Sequence, residues 1–203
     1  MLKPPNSQGE FPPPQHQTLS VFDHHYLGED GLPHVHNRHQ RIRALADLDG
    51  PMTHFPYRFD TGAVRVEVEE GGEASPLYVV REGIHAVDIQ LDRPLNPGEE
   101  AELIYSTFFE YREIPPPVFR RAIGSRVMEK LDIHVVFDGC YLPTRVWQSA
   151  WDGYAPDSSI IQEEPAHLTP CGVGEPDKME AYLSQENVNN TVVGFRWEWP
   201  GQA

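Results

Sequence analysis

Alternation dominates the chain. In AVRVEVEE, Val64, Val66 and Val68 fall on one side and Arg65, Glu67 and Glu69 on the other. LDIHVVFDG groups Leu131, Ile133, Val135 and Phe137, and HAVDIQL aligns His85, Val87, Ile89 and Leu91. TVVGFRWEW sets Val193, Phe195, Trp197 and Trp199 against Arg196 and Glu198. A period of two marks strands with one face in a core and the other in water, the habit of antiparallel sheets. ELIYSTFFEY is apolar on both faces and reads as a central strand. Residues 36–45 and 55–60 are weaker strands, and Pro56 confines the second to an edge because proline cannot donate to a ladder. Between strands, Pro94 and Asn96-Pro97-Gly98 supply hairpin-type punctuation.

Two segments break this rhythm. PPPVFRRAIGSRVMEK opens on Pro115–Pro117, which the first turn of a helix tolerates, and Phe119, Ala122, Ile123 and Val127 follow helical spacing. DKMEAYLSQE has Asp177 with Glu180 three residues on, a capping-box pattern, and a short stripe of Met179, Tyr182 and Leu183. Both predict short helices. In RVWQSAWDGY, Trp147 and Trp151 suit helix and strand alike. The β-branched flanks and the Asp152-Gly153 turn favour a strand with Trp147, Ser149 and Trp151 inward, beside Trp197 and Trp199. The expectation is a mainly β protein, an antiparallel β-sandwich or flattened barrel with two short helices. A Pro-rich flexible tail over 1–21 precedes a single sandwich domain over 22–203.

Composition narrows the function classes. With 203 residues the chain can bury a core, and 20 prolines and 16 glycines account for a hydrophobic fraction of only 39%. The net charge of −15 repels phosphates, so neither direct nucleic-acid binding nor an anionic membrane surface is expected. Arg38, Arg41 and Arg43 on one strand, and Arg120, Arg121, Arg126 and Lys130 further on, do not form a helix-turn-helix. Cys140 and Cys171 lack CxxC spacing, no secretory h-region opens the sequence and no apolar run spans a membrane; a cytoplasmic protein with reduced thiols is expected.

No GxSxG, GxGxxG or P-loop run is present, so no cofactor is expected. His34 and His36 share a strand face, and His24, His25 or Asp23 could supply a third ligand, but no metal-site spacing selects them, so no metal is assigned. The acid/base candidates are His36, His134 with the nearby Asp132, and Asp152. If the aromatic core holds a ligand, Trp147, Trp151 and Trp197 supply apolar walls, and Tyr105, Arg145 and Asp152 supply orienting polar groups.

Three segments carry a resemblance: 115–154, LDRPLNPGEEAELIYSTFFEY, and VVGFRWEW. Their order and spacing over residues 34–199 resemble the β-rich C-terminal region of actinobacterial helix-turn-helix regulators. The DNA-binding part of that family is missing, and the Pro-rich tail stands in its place. The resemblance implies a sensory or interaction domain and supplies no catalytic residues. The leading expectation is therefore a binding domain for a small molecule or protein partner. Its competitors are a small enzyme of specialised metabolism (cyclase, isomerase or hydrolase) and an adaptor docking through a sheet edge or the Pro-rich tail. Nothing in the pattern specifies an oligomeric state.

Overall fold

The computed structural model describes residues 14–60, 62–81, 83–111, 114–155, 157–171 and 177–201. These residues form β1 (His16–Leu27), β2 (Pro33–Ala44), β3 (Met52–Asp60), β4 (Ala63–Glu70), β5 (Gly72–Ala74), β6 (Tyr78–Arg81) and β7 (Ile84–Leu95). Next come β8 (Glu100–Phe109), β9 (Val118–Ile123), β10 (Met128–Asp138), β11 (Arg145–Trp151) and β12 (Ile160–Pro165). β13 (Thr169–Pro170), β14 (Lys178–Val188) and β15 (Thr191–Glu198) complete the order. Among the described residues there is no helix, and so none long and apolar enough to cross a membrane.

The mainly β expectation holds; the two helices do not. Residues 115–130 contain β9, a turn at Gly124-Ser125, and the start of β10. The carbonyl of Pro117 accepts the Trp197 amide at 3.0 Å, which draws the segment into the ladder beside β15. Phe119, Arg121 and Ile123 then face inward at period two, while Val127, which the helical stripe required inside, is exposed. Residues 178–186 belong to β14, paired antiparallel with β10, with Ala181 and Leu183 inward and Tyr182 outward. Tertiary pairing outweighs local helical spacing at both sites.

The chain divides into two compact units, residues 1–19 with 37–110, and residues 20–36 with 111–203. β1 starts at His16, with Leu19 and Val21 buried, so residues 16–21 of the expected tail are strand; residues 1–13 lie outside the described residues.

In the first unit, strands in the order β1-β2-β8-β4 supply one sheet, and β3-β7-β5, with β6 also on β7, supply another. Ile42, Leu103 and Tyr105 from one meet Phe55, Tyr57, Val87 and Ile89 from the other in a single cluster. β8 is central, as its two apolar faces suggest, and Pro56 sits on the edge strand β3. Two details differ from the sequence reading. A bulge between Ala63 and Arg65 turns Val64 outward, leaving it 50% exposed while Val66 and Val68 stay against the core. The Asn96-Pro97-Gly98 turn, with Gly98 at φ +86°, joins strands of different sheets and is no hairpin.

The second unit is a two-layer sandwich. One layer runs β13-β14-β10-β1-β2, with β1 and β10 parallel, and the other runs β12-β11-β15-β9. Val21, Leu131, Ile133, Val135, Phe137, Ala181 and Leu183 from the first layer close on Ile123, Val146, Val193, Phe195 and Trp197 from the second. Leu131, Ile133, Val135, Phe137 and Phe195 are fully buried; each contributes roughly 1.5–3 kcal/mol by leaving water. Side chains from both layers thus pack the centre of the interior.

Candidate functional site

The indole-rich strands are neighbours, as expected, but their rings do not share a face. β11 and β15 pair so that Val146 lies opposite Trp197, and Trp147 opposite Arg196. Val146 and Trp197 consequently point into the core, where Trp197 meets Phe137 edge-on at 5.5 Å and Trp199 at 6.1 Å. Trp147 lies on the other side of the sheet. There the Arg196 guanidinium stacks on it at 4.0 Å, and the Glu163 carboxylate takes two hydrogen bonds from Arg196 at 3.0 Å each and a third from Ser149 Oγ. These bonds, those from Arg196 foremost, hold the Glu163 carboxyl below its ordinary pKa. Trp151 is buried, with Arg120 over its ring at 5.7 Å. The proposed wall of Trp147, Trp151 and Trp197 is thus divided between two faces.

The polar candidates fare differently from one another. Tyr105 lies buried in the first unit, where its hydroxyl donates to Gln40 and accepts from Arg38. Arg145 is exposed at the start of β11. Asp152 staples a loop: its carboxylate accepts from the Ser159 amide at 2.8 Å, and its own amide donates to the Ser159 carbonyl. A depression of about 170 Å³, lined by Gln148, Glu164, Gln185 and Thr191 and reaching Leu183 and Val193 of the two facing layers, includes none of these predicted residues.

His36 is sealed inside the second unit. Its Nε2 donates to Asp23 Oδ1 at 2.9 Å, Arg121 reaches Asp23 Oδ2 at 3.5 Å, and His25 lies edge-on to His36 at 5.7 Å. Burial pushes the His25 imidazole down to about 3, with His36 adding to the shift and Asp23 opposing it. Asp23, His25 and His36 are all buried.

His134, unlike His36, stands on the outer face of its sheet, partly exposed. Strand register builds rows across the outer face of β1, β10 and β14: Phe22–Asp132–Ser184, then His24–His134–Tyr182, then Tyr26–Val136–Glu180. The middle row is a line of rings, with His134 4.4 Å from both His24 and Tyr182 and 5.0 Å from Phe22. Diagonal hydrogen bonds fix it. His134 Nδ1 donates to Glu180 at 2.9 Å, Tyr182 donates to Asp132 at 2.7 Å, and His24 Nδ1 lies 3.0 Å from the Tyr26 hydroxyl. The partner of His134 is therefore Glu180 and not Asp132. Burial, then the neighbouring His134, lowers the His24 pKa. Phe22 and Tyr182 remain 37% and 46% exposed.

Sequence reasoning missed Phe22, Tyr26, Glu180 and Tyr182, and weighed His24 only as a metal ligand, because it placed Glu180 and Tyr182 on a helix and gave β1 no strand. The alternations Phe22-x-His24-x-Tyr26 and Glu180-x-Tyr182 were the available signal. Among the described residues, Glu29, Asp138 and Cys140 bring donor atoms within 4.8 Å of one another. They lie around the turn after β10, where Asp138 accepts the Cys140 amide and its hydrogen bond raises the thiol pKa.

No family model and no curated protein matches this chain. Among solved structures, a candidate protease from Parabacteroides distasonis superposes with a TM-score of 0.56 at 8% identity, over 92% of this chain. An M1 zinc metallopeptidase from Deinococcus radiodurans gives 0.46 at 14% identity over 89%. This chain spans 41% and 42% of those two chains. The first likeness shows a shared β fold.

Proposed function

We propose that this protein is a partner-binding β domain, of adaptor type, that docks another molecule on the outer face of β14-β10-β1. One observation carries the reading: ordered, partly exposed rings stand in line on the outer face of the sheet. A small-molecule binder needs a cavity walled by the indoles, and those indoles point to opposite sides of their sheet. Exposed aromatic side chains held by hydrogen bonds lose little freedom on docking and bury much apolar area, which suits them to interfaces. The resemblance to regulator C-terminal domains accords with a domain that binds rather than reacts. Peptidase chemistry belongs to the structural neighbours; this chain contains no His-Glu-x-x-His run to hold a catalytic zinc.

A photo-crosslinking residue at position 182, compared with one at 161 on the exposed strand β12, tests the reading in the host cell. A discrete product from 182 that vanishes with Phe22→Ala is expected. Equal yields from both positions would refute docking at this face. A second reading, a small hydrolase or isomerase, rests on His134 being oriented by Glu180 as a general base is. It requires turnover that His134→Asn abolishes while the fold is retained.

A further inference from the structure

Given that this face docks a partner, we infer that what it receives is a cationic side chain, arginine or lysine, on an extended segment of that partner. The chain itself displays the chemistry on its other sheet. There the Arg196 guanidinium lies over the Trp147 ring at 4.0 Å and is held by a carboxylate, Glu163, through two hydrogen bonds. The ring row of β1, β10 and β14 has the same two components, ring faces and fixed carboxylates. Asp132 and Glu180 lie one row to either side of His134. Each already accepts one hydrogen bond, from Tyr182 and His134 respectively. An ionised carboxylate has room for about four, so each can still take a donor from outside. Ring faces of Phe22 and Tyr182, both partly exposed, attract a cation through their quadrupoles.

Charge supports the same occupant. The outer positions of β10 and β14 carry four carboxylates, Asp132, Asp138, Glu180 and Glu186, and two ammonium groups, Lys130 and Lys178. Lys130 is occupied: its Nζ donates to Ser184 and lies 3.7 Å from both Asp132 and Glu186. Lys178 lies over the Tyr26 ring at 5.7 Å. The surplus is negative, as is the whole chain at −15. A second copy of so acidic a chain is repelled, and a basic segment is drawn in. An extended segment fits because a strand lying across the rows presents alternate side chains toward one face.

The test titrates the isotope-labelled full chain with a hexa-arginine peptide and, separately, with a hexa-citrulline peptide. Citrulline keeps the shape and loses the charge. Backbone and histidine NMR shifts locate the contact. The expected result is saturable binding at Phe22, His24, His134 and Tyr182, at least tenfold weaker for citrulline. Asp132→Asn and Tyr182→Ala should weaken arginine binding about tenfold and Tyr182→Phe less than threefold, since the ring remains. Should Tyr182→Ala fail to fold, Asp132→Asn carries the comparison. If both peptides bind this face equally, the face still docks a partner and the cationic preference is wrong. If the arginine peptide shifts residues elsewhere, or ignores both substitutions, only diffuse charge attraction is present and the inference is overturned. Crosslinking at position 182 then judges the docking face on its own.

Discussion

His25 makes the second unit acid-sensitive by a predictable amount. Its imidazole is buried between His36 at 5.7 Å and Phe119 at 4.7 Å, and burial lowers its pKa from 6.5 to about 3. The folded protein therefore keeps this ring neutral down to about pH 3, whereas the unfolded chain protonates it near pH 6.5. Below pH 6.5 the unfolded state binds the extra proton, so stability is complete above that value and declines as pH falls. Each pH unit in that window is worth about 1.4 kcal/mol. Between about pH 7 and pH 4.5 the loss from this one group is roughly 2–3 kcal/mol, against a domain stability of about 5–15 kcal/mol.

His25→Phe isolates the effect because it keeps a ring between His36 and Phe119 while removing the titration. All four tryptophans lie in the second unit, so indole fluorescence during urea unfolding reports on that unit alone. Wild type and variant are compared at several pH values. The stability gap between them should move by roughly 2–3 kcal/mol in favour of the variant on going from about pH 7 to about pH 4.5. Curves that stay parallel within about 0.5 kcal/mol would mean that His25 takes up a proton in the folded state, and the burial argument would fail.

Three further outcomes follow from local geometry. A Cβ at Gly194 would sit 2.0 Å from the Phe119 carbonyl oxygen, so Gly194→Ala must part β15 from β9; a loss above roughly 2 kcal/mol in thermal or urea unfolding is expected. Arg196→Ala removes the cation from Trp147 and strands Glu163; it should red-shift the fluorescence and cost about 1 kcal/mol, since the pair is partly exposed. Asp152→Ala frees the Ser159 amide, so hydrogen exchange there should quicken while the rest of the sheet is unchanged. Unaltered exchange at Ser159 would show that the staple does not close the loop.

The strands were legible wherever apolar residues alternate over several positions. Leu131 to Phe137 and Val193 to Trp197 alternate because one face meets a core, and burial imposes that pattern whatever the partner strand. The failures share a cause. At 115–130 and 177–186 the apolar residues satisfy a period of two and a period near 3.6 over so few positions that neither is excluded, and the deciding contact lies elsewhere. It is the Pro117–Trp197 hydrogen bond in one case and the long pairing of β14 with β10 in the other. Capping-box chemistry at Asp177 and Glu180 is a local preference of about 1 kcal/mol, small beside an entire ladder. β1 went unread for a different reason: Phe22-Asp23-His24-His25-Tyr26 has polar residues on its inner face, where Asp23 and His25 are buried, so hydrophobicity alone shows no inside.

That inner polarity also explains why the candidate site was hidden. Alternation tells which side chains point outward along one strand, but a site is made by neighbours across strands. His24 faces His134 only because β1 runs parallel to β10, and Tyr182 joins them only through the register of β14. Moving β14 by one residue would turn Tyr182 and Glu180 into the core and expose Ala181 and Leu183. The buried pair Ala181 and Leu183 thus sets the register, and the register places Tyr182 beside His134 and Glu180 within reach of its Nδ1. The apolar side of β14 and the ring row on its other side are consequences of one constraint. Substitutions that loosen Leu183 should for that reason disturb docking at Tyr182 although Leu183 touches no partner, in proportion to the register they release.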